Sequence, residues 1–457
     1  MQDTILNKII QDKQSWIEIR KKAQPLITFK NKINRKTRDF FNALKKKKPC
    51  FILEYKKTSP SLGTIRNNFN LLEISNVYKK YASAVSVLTD EQYFHGNLKF
   101  INIVRKHVTQ PILCKDFFID VYQIYLARYY KADAILLMLS ILDNAKYQAL
   151  SEIAQQLNMS VLTEVNNECE LQRALQLNAN IIGINNRNLH DLSIDLNRTR
   201  ILASNIKKNK SKNNIIISES GIHKYSQIRE LSQLVDGFLI GSHLMSQKNL
   251  EIGVRSIIFG RNKVCGLTRQ IDIQYIEKYG AIYGGLIFIE NSLRYITKEI
   301  AKKIIINNKL RYVGVFQNEN IKIVSHIAQE ISLYAIQLHG NENQEYINAL
   351  RKILPKQIKI WKAFSINCTL PIRDLNNINM YIFDSSSGGS NTSFNWAILK
   401  NSILDNVILA GGINLDNIIR ASYLNCAGLD LNSGVEIFPG VKDPKKIKLI
   451  FKKLRYY

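Results

Sequence analysis

Two parallel (β/α)8 barrels in tandem are the fold class this sequence predicts, an α/β architecture supported by three observations. The chain has 457 residues, more than one hydrophobic core accommodates and enough for two domains of about 200–250 residues. From residue 50 onward, short apolar, β-rich runs alternate with longer amphipathic stretches, as strands and helices do in a parallel sheet. The runs count to eight, and then to eight again.

The first series is expected at CFILEYK (50–56), ASAVSVLT (82–89), PILCKDF (111–117), DAILLMLS (133–140), MSVLTEV (159–165), IIGINNR (181–187), NIIISESG (214–221) and GFLIGSHL (237–244). Residues 1–47 precede it and read as a helical extension capping the barrel. The stretch EIGVRSIIFGRN (251–262) reads as a last helix and its exit turn, which divides the chain into domains 1–257 and 258–457. The second series follows at NKVCGLT (262–268), YGGLIFI (283–289), LRYVGVF (310–316), YAIQLHG (334–340), IKIWKAF (358–364), MYIFDSS (380–386), NVILAGG (406–412) and AGLDLNSG (427–434).

Composition narrows the function classes. The longest apolar run, residues 134–142, falls far short of the roughly 18 residues of a membrane span and is bracketed by Asp133 and Asp143. The polar, amphipathic start is not a secretory signal, so a cytoplasmic protein without a membrane partner is expected. Cys50, Cys114, Cys169, Cys265, Cys368 and Cys426 lie far apart without CxxC spacing, which argues against a metal site or disulfide framework. The formal charge is +27, but the lysines are dispersed and accompanied by abundant Asn and Ile, as an AT-rich genome would produce. No nucleic-acid-binding signature accompanies them, so no nucleic-acid partner is expected.

In this fold, chemistry sits at the C-terminal ends of the strands. The first series ends in Glu54 and Lys56, Lys115, Glu164, Asn185 and Arg187, Glu219-Ser220-Gly221 and Gly241-Ser242. One charged residue closing an apolar strand is usually the solvent boundary. Two lysines and two carboxylates converging on one mouth would shift one another's pKa values and supply proton donors and acceptors near neutral pH. Gly-Ser pairs after strands seven and eight suit a phosphate. The second series places Cys265 at strand one, Arg294 after strand two, Gln337 on strand four and Asp384 on strand six, followed by SSSGGS (385–390), AGG (410–412) and DLNSG (430–434). A cysteine on a strand is ordinarily a small buried hydrophobe; with Asp384 across the same mouth it becomes a candidate base paired with a carboxylic acid. A glycosidase using Glu54 and Glu164 is the rival reading, against which the lysines and phosphate loops count. There is no dinucleotide G-x-G-x-x-G, and no cofactor is implied.

The first half resembles indole-3-glycerol-phosphate synthase through ILEYKKTSPSLG, PILCKDFFID, LTEV, GINNRNL, ISESGI and FLIGSHLM. The second resembles phosphoribosylanthranilate isomerase through KVCGLTR, VGVF, IQLHGNE, GGS, ILAGGI and LDLNSGVE. Together they resemble the bifunctional fusion of tryptophan biosynthesis, with small phosphorylated anthranilate-derived substrates and no cofactor. The resemblance implies Asp384 as acid and Cys265 as base in the isomerase. Arg294 would meet the anthranilate carboxylate there, and Gly388, Gly389, Gly411, Gly412 and Ser433 the phosphate. In the synthase it implies Lys115 as general acid and Glu164 as acid or base, with Glu54, Lys56 and Asn185 orienting intermediates. Arg187 and Ser220 would contact substrate, and Ser59, Gly221, Gly241 and Ser242 would hold phosphate. The family's SPR appears as Ser292-Leu293-Arg294 and its GGSG as GGSN (388–391), so the isomerase loops depart from the pattern at Leu293 and Asn391. A monomer is expected.

Overall fold

The computed structural model describes residues 5–188, 191–208, 214–306, 308–385 and 393–456. The chain divides into two compact units, Met1–His223 with Glu230–Val254 and Lys224–Arg229 with Arg255–Tyr457. Each contains one closed barrel of eight parallel strands in sequential order. The first comprises β1 (Cys50–Tyr55), β2 (Ala84–Leu88), β3 (Ile112–Lys115), β4 (Ala134–Met138), β5 (Ser160–Val165), β6 (Ile181–Asn185), β7 (Ile215–Glu219) and β8 (Gly237–Ile240). The second comprises β9 (Lys263–Val264), β10 (Tyr283–Ile287), β11 (Arg311–Phe316), β12 (Ala335–Leu338), β13 (Lys359–Ile366), β14 (Met380–Ser385), β15 (Val407–Leu409) and β16 (Gly428–Leu431). Every expected strand is present, each beginning and ending within a few residues of its apolar run.

Inward-facing apolar side chains fill the first barrel. Cys50, Ile52, Ala84, Leu113, Ala134, Leu136, Leu162, Ile181, Ile217 and Leu239 form one buried cluster, joined by Phe40 and Leu44 of the short helix α2 (Phe40–Lys45). That helix enters β1 through a four-residue turn, so its two apolar side chains close the barrel at the end opposite the strand C-termini. The helical extension is less continuous than its sequence suggests. Helix α1 (Ile5–Ala23) ends before Pro25, and two single 3-10 turns follow before α2.

Side-chain caps punctuate the βα units. Asp120 forms a capping box with Gln123, and Asn70, Asp143, Asn167, Asn343 and Asp443 each accept from backbone N–H groups in the first turn of the helix that follows. β9 is the shortest of the barrel strands, yet Cys265 N still donates to Leu431 O at 2.8 Å, continuing the ladder towards β16 past the last strand residue. No described helix is long and apolar enough to cross a membrane.

Candidate active sites

The C-terminal ends of β1–β8 surround a cavity of about 720 Å³ lined by Glu54, Lys56, Lys115, Glu164, Asn185, Arg187, Glu219, Ser220, Gly221, Gly241 and Ser242. Leu136, Met138, Phe94, Phe117 and Leu239 supply its apolar wall, a surface suited to an aromatic ring. The polar side chains form an ordered chain of contacts. Lys115 Nζ donates to Glu219 Oε2 at 2.9 Å and reaches Glu164 Oε2 at 3.5 Å. Asn185 Nδ2 donates to the other Glu164 oxygen at 3.0 Å. Across the mouth, Lys56 Nζ lies 2.5 Å from Glu54 Oε1 and 3.4 Å from Ser242 Oγ.

Burial and charge compete at Lys115. Desolvation disfavours its ammonium, but Glu219, then Glu164 and Glu54, outweigh that and hold its pKa above the ordinary lysine value. Glu219 is pushed up to about 7, first by burial and then by Glu164, against the pull of Lys115. Sequence reasoning sees Glu219 at a strand end but gives it no role, whereas the structure makes it the closest carboxylate partner of Lys115. Its signal was available in Gly183: a methyl group on this β6 glycine would collide with Glu219 Oε1, so the glycine leaves room for that carboxylate. Arg187 is held by its Nη1 donating to Leu192 O at 2.7 Å, and burial lowers its pKa. Ser220 and Gly221 both adopt positive φ, of 66° and 81°. Such strain in a non-glycine residue is typical of ligand loops. Ser59 is not among the residues of the cavity wall. It sits in a two-residue ribbon paired with Gly63, its Oγ 3.4 Å from the Oγ of Ser61, which does line the cavity.

The second barrel carries a cavity of about 530 Å³ lined by Cys265, Arg294, Gln337, His339, Asp384, Gly411, Gly412, Asp430 and Ser433 among others. Gly388, Gly389 and Asn391 lie outside the described residues. Burial pushes the Asp384 carboxyl above its ordinary range, partly offset by the Ser385 backbone N–H that donates to it at 2.8 Å and by Lys263. Burial likewise raises the Cys265 thiol, with Lys263 pulling it back. Three further groups emerge only here. His339 Nε2 lies 3.8 Å from Asp384 Oδ2, while its Nδ1 bonds Gln337 Nε2 at 2.9 Å. Glu436 receives Arg294 Nε and Nη2 at 3.0 and 2.7 Å, fixing the guanidinium at the rim. Lys442 Nζ donates to the same carboxylate at 2.7 Å.

Family comparison settles what this pair of sites belongs to. The family described as indole-3-glycerol phosphate synthase matches residues 6–257, and that described as N-(5'-phosphoribosyl)anthranilate (PRA) isomerase matches residues 262–453. The chain belongs to both families. Among its relatives, the tryptophan biosynthesis protein TrpCF of Buchnera aphidicola subsp. Acyrthosiphon pisum is 74% identical over 456 residues, covering 100% of both chains. TrpCF of Buchnera aphidicola subsp. Diuraphis noxia is 68% identical over 457 residues, again with 100% coverage of both chains. TrpCF of Yersinia pestis is 53% identical over 454 residues, 99% of this chain and 95% of its own. This is a bifunctional enzyme of tryptophan biosynthesis, a decarboxylating synthase in its N-terminal barrel and an isomerase in its C-terminal one. The glycosidase reading is thereby excluded.

The isomerase departure at Leu293 has a measurable consequence. Tyr295 N donates to Ser292 O at 2.9 Å, which places Leu293 at the second position of a four-residue turn, its side chain 80% exposed. Proline is favoured there. Leu293→Pro is expected to stabilise the second barrel by about 0.4–1 kcal/mol, through the unfolded chain, seen as later loss of isomerase activity in a urea series. Earlier loss would show that the backbone at Leu293 does not accept the ring.

Proposed function

We propose that the two cavities carry consecutive reactions through the residues that line them. The observation that supports this is that, in each mouth, buried acidic and basic side chains and loop glycines line one cavity. In the isomerase, Asp384 gives its proton to the furanose ring oxygen of N-(5-phosphoribosyl)anthranilate as the C1–O bond breaks. The Cys265 thiolate then takes the C2 proton, and tautomerisation yields 1-(2-carboxyphenylamino)-1-deoxyribulose 5-phosphate. The raised Asp384 pKa suits a group that must hold a proton before donating it. Since Glu436 occupies Arg294 Nε and Nη2, the anthranilate carboxylate meets the remaining nitrogen, Nη1. Gly411, Gly412 and Ser433 receive the phosphate, and Gln337 helps orient the substrate.

In the synthase, Lys115 protonates the ketose carbonyl oxygen while the anthranilate ring carbon bearing the carboxylate attacks the carbonyl carbon. Loss of CO2 restores the aromatic ring, and departure of the new hydroxyl as water with loss of a proton from the adjacent ring CH2, assisted by Glu164, completes indole-3-glycerol phosphate. Glu54, Lys56 and Asn185 orient the intermediates, with Arg187 and Ser220 on the substrate. Gly221, Gly241 and Ser242, with Ser59 behind Ser61, form the phosphate end. The boundary between the activities falls at 257/258, and the chain works as a cytoplasmic monomer without a nucleic-acid partner.

Incubation of the full chain with freshly made phosphoribosylanthranilate tests the assignment. Indole-3-glycerol phosphate is the expected product, while ketose alone would contradict a working synthase. Glu219 adds a pH signature. It is a carboxylate above about pH 7 and neutral below, so synthase kcat/KM should fall as pH drops through that value and Lys115 loses its closest counter-ion. The Glu219→Gln variant should lack that inflection; its persistence would assign the titration elsewhere.

A further inference from the structure

The second barrel buries a charged pair to which the acid–base scheme above assigns no work. Lys263 is fully buried, and its Nζ donates to Asp430 Oδ2 at 2.7 Å. Such a pair is weak as a stabiliser, because well-packed apolar residues of the same volume commonly do as well or better. Lys263 stands two residues before Cys265, so strand alternation turns both side chains to the same face. Gly285 on β10 makes the space they share: a methyl group there would lie 2.6 Å from Cys265 Sγ and 3.0 Å from Lys263 Cε.

Other charged groups line the same cavity or stand at its edge. Asp430 comes from β16, Asp384 from β14 and His339 from beyond β12. Arg294 and Lys442 are both tied to Glu436. Burial raises the thiol's pKa, and Lys263, ahead of Lys442, pulls it back towards the thiolate. We propose that Lys263, oriented by Asp430, is a positioning residue that favours ionisation of the Cys265 sulfur against the burial that opposes it and aims the sulfur into the cavity. This rests on Cys265 being the base.

The test uses the full-length chain with Lys263→Met, which keeps the stem and removes the charge. The pH for half-alkylation of Cys265 by iodoacetamide, followed on the peptide that carries it, should rise by about one unit, a tenfold loss of thiolate at a given pH. The acid limb of isomerase kcat/KM should move upward with it, because the base then needs a higher pH to ionise. If the bare Asp430 carboxylate prevents folding, the neutral pair Lys263→Met/Asp430→Asn carries the same sign of shift. An unchanged alkylation pH and an unmoved acid limb, even with reduced kcat, would reduce Lys263 to a packing role and overturn the proposal. Cys265→Ser separates the two ideas: surviving isomerase activity would refute the base assignment, while the alkylation pH, compared between the parent and Lys263→Met, still reports on Lys263.

Discussion

Cys265→Ser is expected to lower isomerase kcat/KM by about 10²–10⁴-fold, the worth of a positioned general base, and to leave the synthase untouched. Serine preserves the shape of the side chain, but its hydroxyl does not ionise at any pH the protein tolerates, so the C2 proton has no acceptor of suitable basicity. The neighbouring carboxylates are poor substitutes. Asp430 is paired with Lys263, and Asp384, its pKa raised by burial, is the proposed proton donor to the ring oxygen. Given phosphoribosylanthranilate, the variant should make neither ketose nor indole-3-glycerol phosphate. Given the ketose directly, it should make indole-3-glycerol phosphate at the parental rate. Isomerase turnover within about threefold of the parent would fall far outside the general-base range and remove Cys265 from the mechanism.

Lys115→Met should produce the mirror image, with ketose accumulating from phosphoribosylanthranilate while indole-3-glycerol phosphate formation falls by about 10²–10⁴-fold. The loss has two sources. The donor to the carbonyl oxygen is gone, and Glu219 and Glu164 are left facing each other in a buried mouth without their shared cation. Their repulsion favours protonation, so the already raised Glu219 pKa should climb further. Lys115→Arg retains the charge but not the compact donor, and should fold with low activity. Synthase activity in Lys115→Met close to that of the parent would transfer the acid role to Lys56. The intact isomerase provides an internal control for the folding of the second barrel in the same sample.

Much of this was readable before any coordinates. Each strand announced itself as an apolar run closed by polar residues, since a barrel strand is buried along its length and its chemistry sits at one end. Glu54, Lys56, Lys115, Glu164 and Asn185 were legible for that reason, as were Cys265 and Asp384. Groups acting through another group were not. Glu219 stood only as a strand terminus, and Glu436 and His339 were given no role, because what defines each is a partner 100 or more residues away or on another strand. Glu219 meets Lys115 and Glu436 meets Arg294 only because closing the barrel brings distant strand ends to one mouth.

The sequence by itself determined the two barrels, the order of their strands and which end of each bears the chemistry, because hydrophobic periodicity and turn residues are local properties of the chain. Only the tertiary structure decided which charges are paired. Lys115 belongs with Glu219 and Glu164, Lys263 with Asp430, and Arg294 and Lys442 share Glu436. It also placed Ser61, rather than Ser59, in the cavity wall. The physical reason is that a charge buried in low dielectric takes its protonation state from neighbours within a few ångströms. Those neighbours are set by barrel closure and strand register, not by proximity along the chain.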